Sequence, residues 1–411
     1  MSALQSAPRS RTGSILQLLL SLAGSGFCAL FALGLLVYDL MFANSGDTLL
    51  PQRTDFLALA WIFAFLALLG LPSLWYAGRA LAGRPAPAPG GKGLFIPAST
   101  TLVVWPLLLL AGNFVSKSDT LSHWVLPPLT ILASIIPIWW LVELARRGLK
   151  PASPQRSWGV LNFALFFSNP AVILAEVLLV VLLLAGVVVL VMLDPGMSDQ
   201  IVVLSQELST FNTDPSRLQQ ILVPYLSNPM IILGGLTLFS VVIPLLEELF
   251  KPLAVWALVG RGASTADGLA CGAIAGAGFA LTETLFNLSS PQFSGQWVAV
   301  VVGRAGTGML HVTTAAMIGM SIAAAWKSRQ FWRVLLAYLG AVLLHGLWNG
   351  FSLSSGLVQV LLASSPLANF LSLAAVGGLL ILAIAFVFIL ISANRRLRSG
   401  ANPAVKPALS M

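Results

Sequence analysis

The sequence predicts an all-α fold, a polytopic bundle of about ten transmembrane helices. Of the 411 residues, 57% are hydrophobic and only 9% are charged. Apolar runs repeatedly reach the roughly 20 residues that a helix needs to cross a bilayer. Alternating blocks of about ten residues, the pattern of transmembrane β-barrels, do not occur in the sequence. We therefore expect a multi-pass integral membrane protein surrounded mainly by the lipid bilayer.

Ten apolar segments are long enough to span the membrane. The first is too long for the core of a signal peptide and has no clear small-residue cleavage site behind it, so we expect a retained helix. The expected spans cover residues 15–41, 56–76, 94–114, 124–144 and 172–193 in the first half, and 230–258, 269–288, 297–326, 334–353 and 368–391 in the second.

The lysines and arginines predict that both termini lie in the cytoplasm. Cytoplasmic loops retain basic residues. With the N-terminus inside, the inner side receives seventeen of the 22 basic residues, while Arg53, Lys117 and Arg217 fall outside and Lys251 and Arg304 lie within spans. The net charge of +8 therefore indicates orientation, and we expect no nucleic-acid partner.

The chain divides into three regions by motif content. Residues 1–229 form a membrane region of about five spans that ends in a long external segment. Within that segment, residues 201–222 have apolar spacing compatible with short amphipathic helices at the outer surface, either a connector or a lid that handles substrate. Residues 230–355 form a core of four spans, and residues 356–411 hold the last span and a basic cytoplasmic tail.

The core region contains ionisable side chains inside apolar segments. On bilayer-insertion scales each charge near a helix centre costs roughly 2.5 to 3.5 kcal/mol, so such a cluster predicts a functional site. Two of the three histidines of the whole chain belong to the cluster. Its members are Glu247, Glu248, Lys251, Glu283, His311 and His345.

These side chains fall at a common depth in the membrane. Counted from the inner surface at about 1.5 Å per residue, Glu248 lies at about 15 Å and Glu283 at about 21 to 24 Å. His311 and His345 come to about 22 Å and about 18 Å. Because chance would scatter four helices over the roughly 30 Å hydrocarbon layer, the agreement predicts one shared centre.

Local spacing supports this centre. Lys251 follows Glu247 by four residues and Glu248 by three, so it can approach either carboxylate on one helix face. Pro244 and Pro252 bracket the pair, and each frees a backbone carbonyl one turn earlier. On the next helix a stripe of small residues allows another backbone to approach closely. That stripe consists of Gly268, Gly272, Gly276 and Ala280.

The residue types of the cluster are suited to activating water. Neutral histidines with a carboxylate can bind Zn²⁺, which lowers the pKa of a bound water to about 7, and a second carboxylate can take the proton. In a metal-free version a glutamate is the general base, and His or Asn side chains stabilise the oxyanion. Both versions remain open at this point.

The motifs resemble those of the PrsW family of intramembrane proteases. Residues 247–251, Glu-Glu-Leu-Phe-Lys, resemble its EExxK motif, and Phe279 to Glu283 resemble its FxxxE motif. His311 and the run His345-Gly346-Leu347-Trp348-Asn349 follow on later spans, as that family's histidine motifs do. The related type II CAAX prenyl endopeptidases show EExxxR and FxxxH instead, so the PrsW pattern fits better. The resemblance covers residues 230–350.

The resemblance implies peptide-bond hydrolysis in or next to a bacterial cytoplasmic membrane, on membrane-tethered proteins such as anti-sigma factors. We expect Glu247, Glu248, Glu283, His311 and His345 to form the hydrolytic centre. Either adjacent glutamate could be the base, and we favour Glu247. Glu283, His311 and His345 are the candidate metal ligands. Lys251 would keep Glu248 ionised, and Arg304 and Asn349 would polarise the substrate.

Two other classes of function use similar residues. A proton-coupled transporter also buries Glu, Lys and His at mid-membrane, but the sequence has no inverted repeat. A non-catalytic membrane scaffold is the other alternative. The glycine-rich run 303–308 lies inside a span with no strand before it, so we expect no nucleotide binding. We also expect no chemistry at His123, which stands beside Trp124 near an interface, or at Glu143 beside Arg146 at the cytoplasmic rim.

Overall fold

The computed structural model describes residues 11–42, 54–84, 93–150, 152–193, 195–209, 215–259, 262–289, 296–362 and 365–400. Within these ranges the chain forms fifteen α-helices and two π-helical segments, with no β-strand. Arg9, Arg53, Lys92, Arg261 and Lys406, which contributed to the predicted orientation, lie outside the described residues.

The helices follow one another along the chain with short connections. The first six are α1 (Arg11–Phe42), α2 (Thr54–Leu81), α3 (Phe95–Val115), α4 (Asp119–Arg146), α5 (Pro154–Phe163) and α6 (Asn169–Leu193). The next five are α7 (Pro195–Ser209), α8 (Pro215–Leu226), α9 (Pro229–Thr237), α10 (Ile243–Phe250) and α11 (Leu253–Val259). The last four are α12 (Thr265–Leu288), α13 (Trp297–Ser328), α14 (Trp332–Leu361) and α15 (Pro366–Gly400).

Ten helical stretches of the described chain are long and apolar enough to cross a membrane, which confirms the predicted number. Two of them are interrupted: the stretch Pro154–Leu193 combines α5 with α6, and Pro229–Val259 combines α9, α10 and α11. The predicted amphipathic segment 201–222 falls on α7 and α8, so its helical character is confirmed for the described residues. Its outer position, the cytoplasmic termini and the three-region division stay predictions.

The two π-helical segments have a common cause in the sequence. Ala164–Ser168 precedes Pro170, and Leu238–Val242 precedes Pro244, so each segment ends two residues before a proline. A proline ring has no N–H and clashes with the carbonyl four residues earlier, and a π-bulge relieves that clash by widening the turn. The second segment leads directly into the helix that carries Glu247 and Glu248.

Two compact units account for the described chain. The first unit contains Met1–Asn169, Lys251–Tyr338 and Phe386–Met411. Its interior is built on α12 and α13. The most apolar 18-residue stretches of these two helices are 83% and 72% buried, against 44% or less for the corresponding stretches of the other spans. Ser264 and Asp267 form a capping box that begins α12 by satisfying its first backbone N–H groups.

Helices α12 and α13 approach each other through the small-residue stripe. A Cβ atom at Gly268 would collide with the carbonyl of Gly319, one at Gly272 with that of Ala315, and one at Gly276 with that of His311. The matched positions ascend on α12 while they descend on α13, so the two helices are antiparallel in a register of four residues. The predicted close packing of the stripe is confirmed, and α13 is its partner.

Polar side chains join α1 to α2, α4 and α5 in the first unit. Gln17 on α1 donates to the Ser73 hydroxyl on α2 at 3.0 Å and to the Gln155 carbonyl on α5 at 3.2 Å. Such interhelical hydrogen bonds hold apolar helices together where lipid gives no hydrophobic drive for association. His123 on α4 lies 3.5 Å from the buried Asp39 of α1, a partner that the sequence did not indicate.

The second unit contains Pro170–Phe250 and Leu339–Ala385. It includes α7, α8, α9, the π-helical segment Leu238–Val242, α10 and most of α14. The first unit therefore holds Lys251, Glu283, Arg304 and His311, and the second holds Glu247, Glu248, His345 and Asn349.

Candidate active site

The register of α12 against α13 determines which charged groups meet in the first unit. Gly276 lies opposite His311, and Glu283 is two turns further along α12. Arg304 precedes His311 by two turns on the antiparallel helix, so it comes level with Glu283. Arg304 and His311 lie on one face of α13, since both contact Glu283.

Glu283 is held by two cationic or polar partners at once. Arg304 reaches both carboxylate oxygens, with Nη1 at 3.1 Å from Oε1 and Nη2 at 2.8 Å from Oε2. The His311 ring contributes Nε2 at 2.6 Å from Oε2. Arg304 also donates from Nε to the Thr284 hydroxyl at 3.3 Å. A two-pronged guanidinium contact of this kind fixes the plane of the carboxylate as well as its charge.

Lys251 completes a chain of polar contacts in the same unit. It lies in the turn between α10 and α11, just before Pro252, and only 1% of the residue is exposed. Its ammonium is 2.8 Å from His311 Nδ1 and 4.3 Å from the centroid of the Phe279 ring. Since an ammonium can only donate, Nδ1 accepts, and the ring proton of His311 is on Nε2, where it is donated to Glu283.

In the second unit, α14 packs closely against the π-helical segment. A Cβ atom at Gly346 would collide with the Ser240 carbonyl, so only glycine allows this approach. Asn349, one turn further along α14, donates from Nδ2 to the Phe239 carbonyl at 2.9 Å. Pro244 removes the α-helical donor that the Ser240 carbonyl would otherwise have, which explains why this backbone is open to α14.

His345 is placed between the two adjacent glutamates. Its Nδ1 is 2.8 Å from Glu248 Oε1, and its Nε2 is 3.9 Å from Glu247 Oε2. Glu248 is fully buried, and His345 and Glu247 are almost so. A carboxylate accepts the Nδ1 proton, which makes Nε2 the basic nitrogen and directs it toward Glu247. Glu247 and Glu248, which are adjacent on α10, thus face different nitrogens of the same imidazole ring.

The two histidines have the same arrangement, which fits a metal site. In each, one ring nitrogen donates to a carboxylate and the other is basic, as in histidines that ligate metals. In the second unit, His345 Nε2 and Glu247 could bind a divalent metal. In the first unit, the corresponding basic nitrogen is His311 Nδ1, and the Lys251 ammonium already lies against it. Nitrogen and carboxylate donors of this kind suit Zn²⁺.

Several contacts of the site were not predicted from the sequence. Phe279 stood out in the sequence only as a motif letter, yet its ring touches both Lys251 and His311. Asn349 was expected to polarise substrate, and the structure gives its amide a backbone partner. The available signal for the contact of Phe279 with His311 was its spacing of four residues from Glu283, which places both side chains on one helix face. The pairing of Lys251 with Glu247 or Glu248 stays a prediction.

Comparison with known proteins identifies a family. The family model described as PrsW family intramembrane metalloprotease matches residues 175–391, more than half of the chain. The match contains all five residues of the expected hydrolytic centre together with Lys251, Arg304 and Asn349. No curated protein and no solved structure matches the chain.

Proposed function

We propose, since the chain belongs to the PrsW family of intramembrane metalloproteases, that its substrates are membrane-tethered regulatory proteins of the anti-sigma-factor kind. Family membership supports hydrolysis of peptide bonds within the membrane, and the ten apolar helices make it an integral membrane protein. We place the enzyme in the bacterial cytoplasmic membrane with both termini inside, as the basic residues predict.

The observation that carries the proposal is the buried trio Glu247, Glu248 and His345. Glu248 holds the ring through Nδ1 at 2.8 Å, so His345 presents a basic Nε2 on the side of Glu247. Keeping two carboxylates and a histidine in an apolar span costs several kcal/mol, which a purely structural role does not require. We assign Glu247 as the group that accepts the proton of the attacking water.

The Lys251–His311–Glu283–Arg304 chain supplies the second half of the proposed centre. Arg304 holds Glu283, and Glu283 orients His311, whose Nδ1 is thereby its basic nitrogen. The sequence predicted Glu283 as a metal ligand, but its contacts with Arg304 and His311 favour a role in orienting the His311 ring. Because the predicted depths of the two histidines agree to within about 4 Å, we propose that both sets serve one reaction.

A bound metal would be held in the second unit by His345 Nε2, with Glu247 beside it. When bound, a zinc ion supplies a Lewis acid and a water that ionises near neutral pH. The chain's own groups then have separate tasks. Glu247 takes the proton of the water, Glu248 and Glu283 hold the two rings, and Arg304 remains as a fixed positive charge beside Glu283.

The test uses mass spectrometry to compare the membrane-tethered peptides of cells that contain the protein with those of cells that lack it. We expect Glu247→Gln, Glu248→Gln and His345→Ala each to abolish cleavage while expression and membrane insertion persist, since removing a buried charge eases insertion. Glu143→Gln is the matched control, because Glu143 is also a buried acid of a span and pairs with Arg146. Undiminished cleavage by the Glu247→Gln, Glu248→Gln double variant would favour the scaffold alternative.

The metal is tested separately on the purified protein. A membrane-permeant chelator should abolish cleavage, and Zn²⁺ should restore it, because a metal enzyme loses its ion to a stronger ligand. Activity that survives complete removal of bound metal would support the metal-free mechanism, with Glu247 acting directly on water. The Glu143→Gln protein should respond to chelator as the wild type does.

A further inference from the structure

The side chain of Phe279 has contacts that no assigned role explains. It is buried on α12, one turn before Glu283, so both side chains lie on the same face of the helix. The ring centroid is 4.9 Å from that of His311, with the planes at 66° in an edge-to-face arrangement. The same ring has the Lys251 ammonium at 4.3 Å from its centroid.

The Lys251 ammonium needs such a partner because it is fully buried. A cation in an apolar interior is stable only when polar or π groups replace its water. His311 Nδ1 supplies one hydrogen-bond acceptor at 2.8 Å. The electron-rich face of an aromatic ring attracts a cation by electrostatics, and this attraction is stronger where water is excluded from the pair.

Phe279 therefore contacts the two members of one hydrogen bond. The position of the Lys251 ammonium decides which nitrogen of His311 carries the proton, because the donor at Nδ1 directs the ring proton to Nε2 and Glu283. A ring that holds the ammonium in this place also fixes the orientation of the histidine that it touches edge-on.

We propose that Phe279 is a positioning residue, whose ring face holds the Lys251 ammonium against His311 Nδ1. The proposal rests on the proposed function, since it concerns a histidine of the hydrolytic centre. It assigns the aromatic residue an electrostatic task that an aliphatic side chain of similar volume does not perform.

The test replaces Phe279 in the full-length protein by phenylalanines with one, two and three ring fluorines. Fluorine withdraws charge from the ring face and leaves the shape nearly unchanged, so folding persists. We expect kcat/KM to fall stepwise, by roughly tenfold at three fluorines, the scale of a desolvated cation–π contact. Phe286 is the matched control: it lies on the same helix, and its ring meets Phe63 at 5.5 Å edge-to-face.

A second measurement separates this proposal from the proposed function. The midpoint of thermal unfolding should fall along the fluorine series in the Lys251 protein and stay constant in a Lys251→Met background. This coupling can be measured even if the wild type cleaves nothing, an outcome that would remove the proposed function alone. A flat fluorine series in kcat/KM and in the unfolding midpoint would overturn the role of Phe279.

Discussion

The contact between Arg304 and Glu283 depends on the planar guanidinium group of arginine. The guanidinium binds both oxygens of the carboxylate, at 3.1 and 2.8 Å, and still reaches the Thr284 hydroxyl. Glu283 is 31% exposed, so burial alone does not hold its carboxylate and the contacts with Arg304 and His311 have to keep it in place. Lysine carries the same charge but only as a point donor, so it cannot reproduce this planar contact.

We predict that Arg304→Lys lowers kcat/KM by roughly tenfold, the cost of one lost charge-assisted hydrogen bond. The physical reason is that Glu283 loses the fixed plane with which it orients His311. Steady-state kinetics on a tethered peptide measures the effect. Arg156→Lys is the control, because Arg156 meets Asp267 at 3.1 Å in a partly exposed position. Equal losses in the two variants would contradict the prediction.

At the scale of elements, glycine contacts decide which backbone segments can meet. Gly346 lies against the Ser240 carbonyl, whereas a Cβ added at Gly340 on the same helix would meet no atom of the described residues within 4 Å. The close approach brings His345 into the unit that also contains Glu247 and Glu248. Pro244 and the π-helical segment Leu238–Val242 prepare the receiving surface.

We predict opposite effects of alanine at these two glycines of α14. Gly346→Ala forces the helix away from the Ser240 carbonyl and should destabilise the protein by about 1 to 3 kcal/mol, with loss of activity. Gly340→Ala meets open space and should leave stability unchanged or raise it by up to about 1 kcal/mol, because alanine is the better helix former. Thermal unfolding in detergent measures both. A harmless Gly346→Ala would show that α14 does not depend on this contact.

At the scale of the whole molecule, the charge asymmetry predicts one orientation in the membrane. Among the basic residues, seventeen fall on the proposed inner side and three on the outer side. Orientation matters for function because it decides from which side water and substrate reach the ionisable residues, which were counted in depth from the inner surface.

We predict that reporter fusions after Arg156 and after Arg261 report cytoplasm, and that fusions near Asp214 and Gln292 report the outside. The basic residues that flank the spans provide the reason, since they resist translocation. Paired enzymatic reporters, one active on each side, measure the location at each point. An outside signal at Arg261 would invert the helices that carry the motifs and refute their common depth.

The sequence by itself determined the class, the ten spans and the identity of the ionisable residues. Each of these follows from a local cost: apolar runs of sufficient length prefer lipid, and a charge within such a run is too expensive to be incidental. The motif order added the protease family, which the match to residues 175–391 confirmed.

Only the tertiary structure decided which groups meet. Glu283 contacts Arg304 and His311 because the glycine stripe brings α12 and α13 into one antiparallel register. Lys251 contacts His311 and Phe279, two partners on other helices that its own local spacing could not indicate. Spacing along one helix fixes the face on which a side chain lies. Its partner on another helix depends on a packing register that no local stretch of sequence contains.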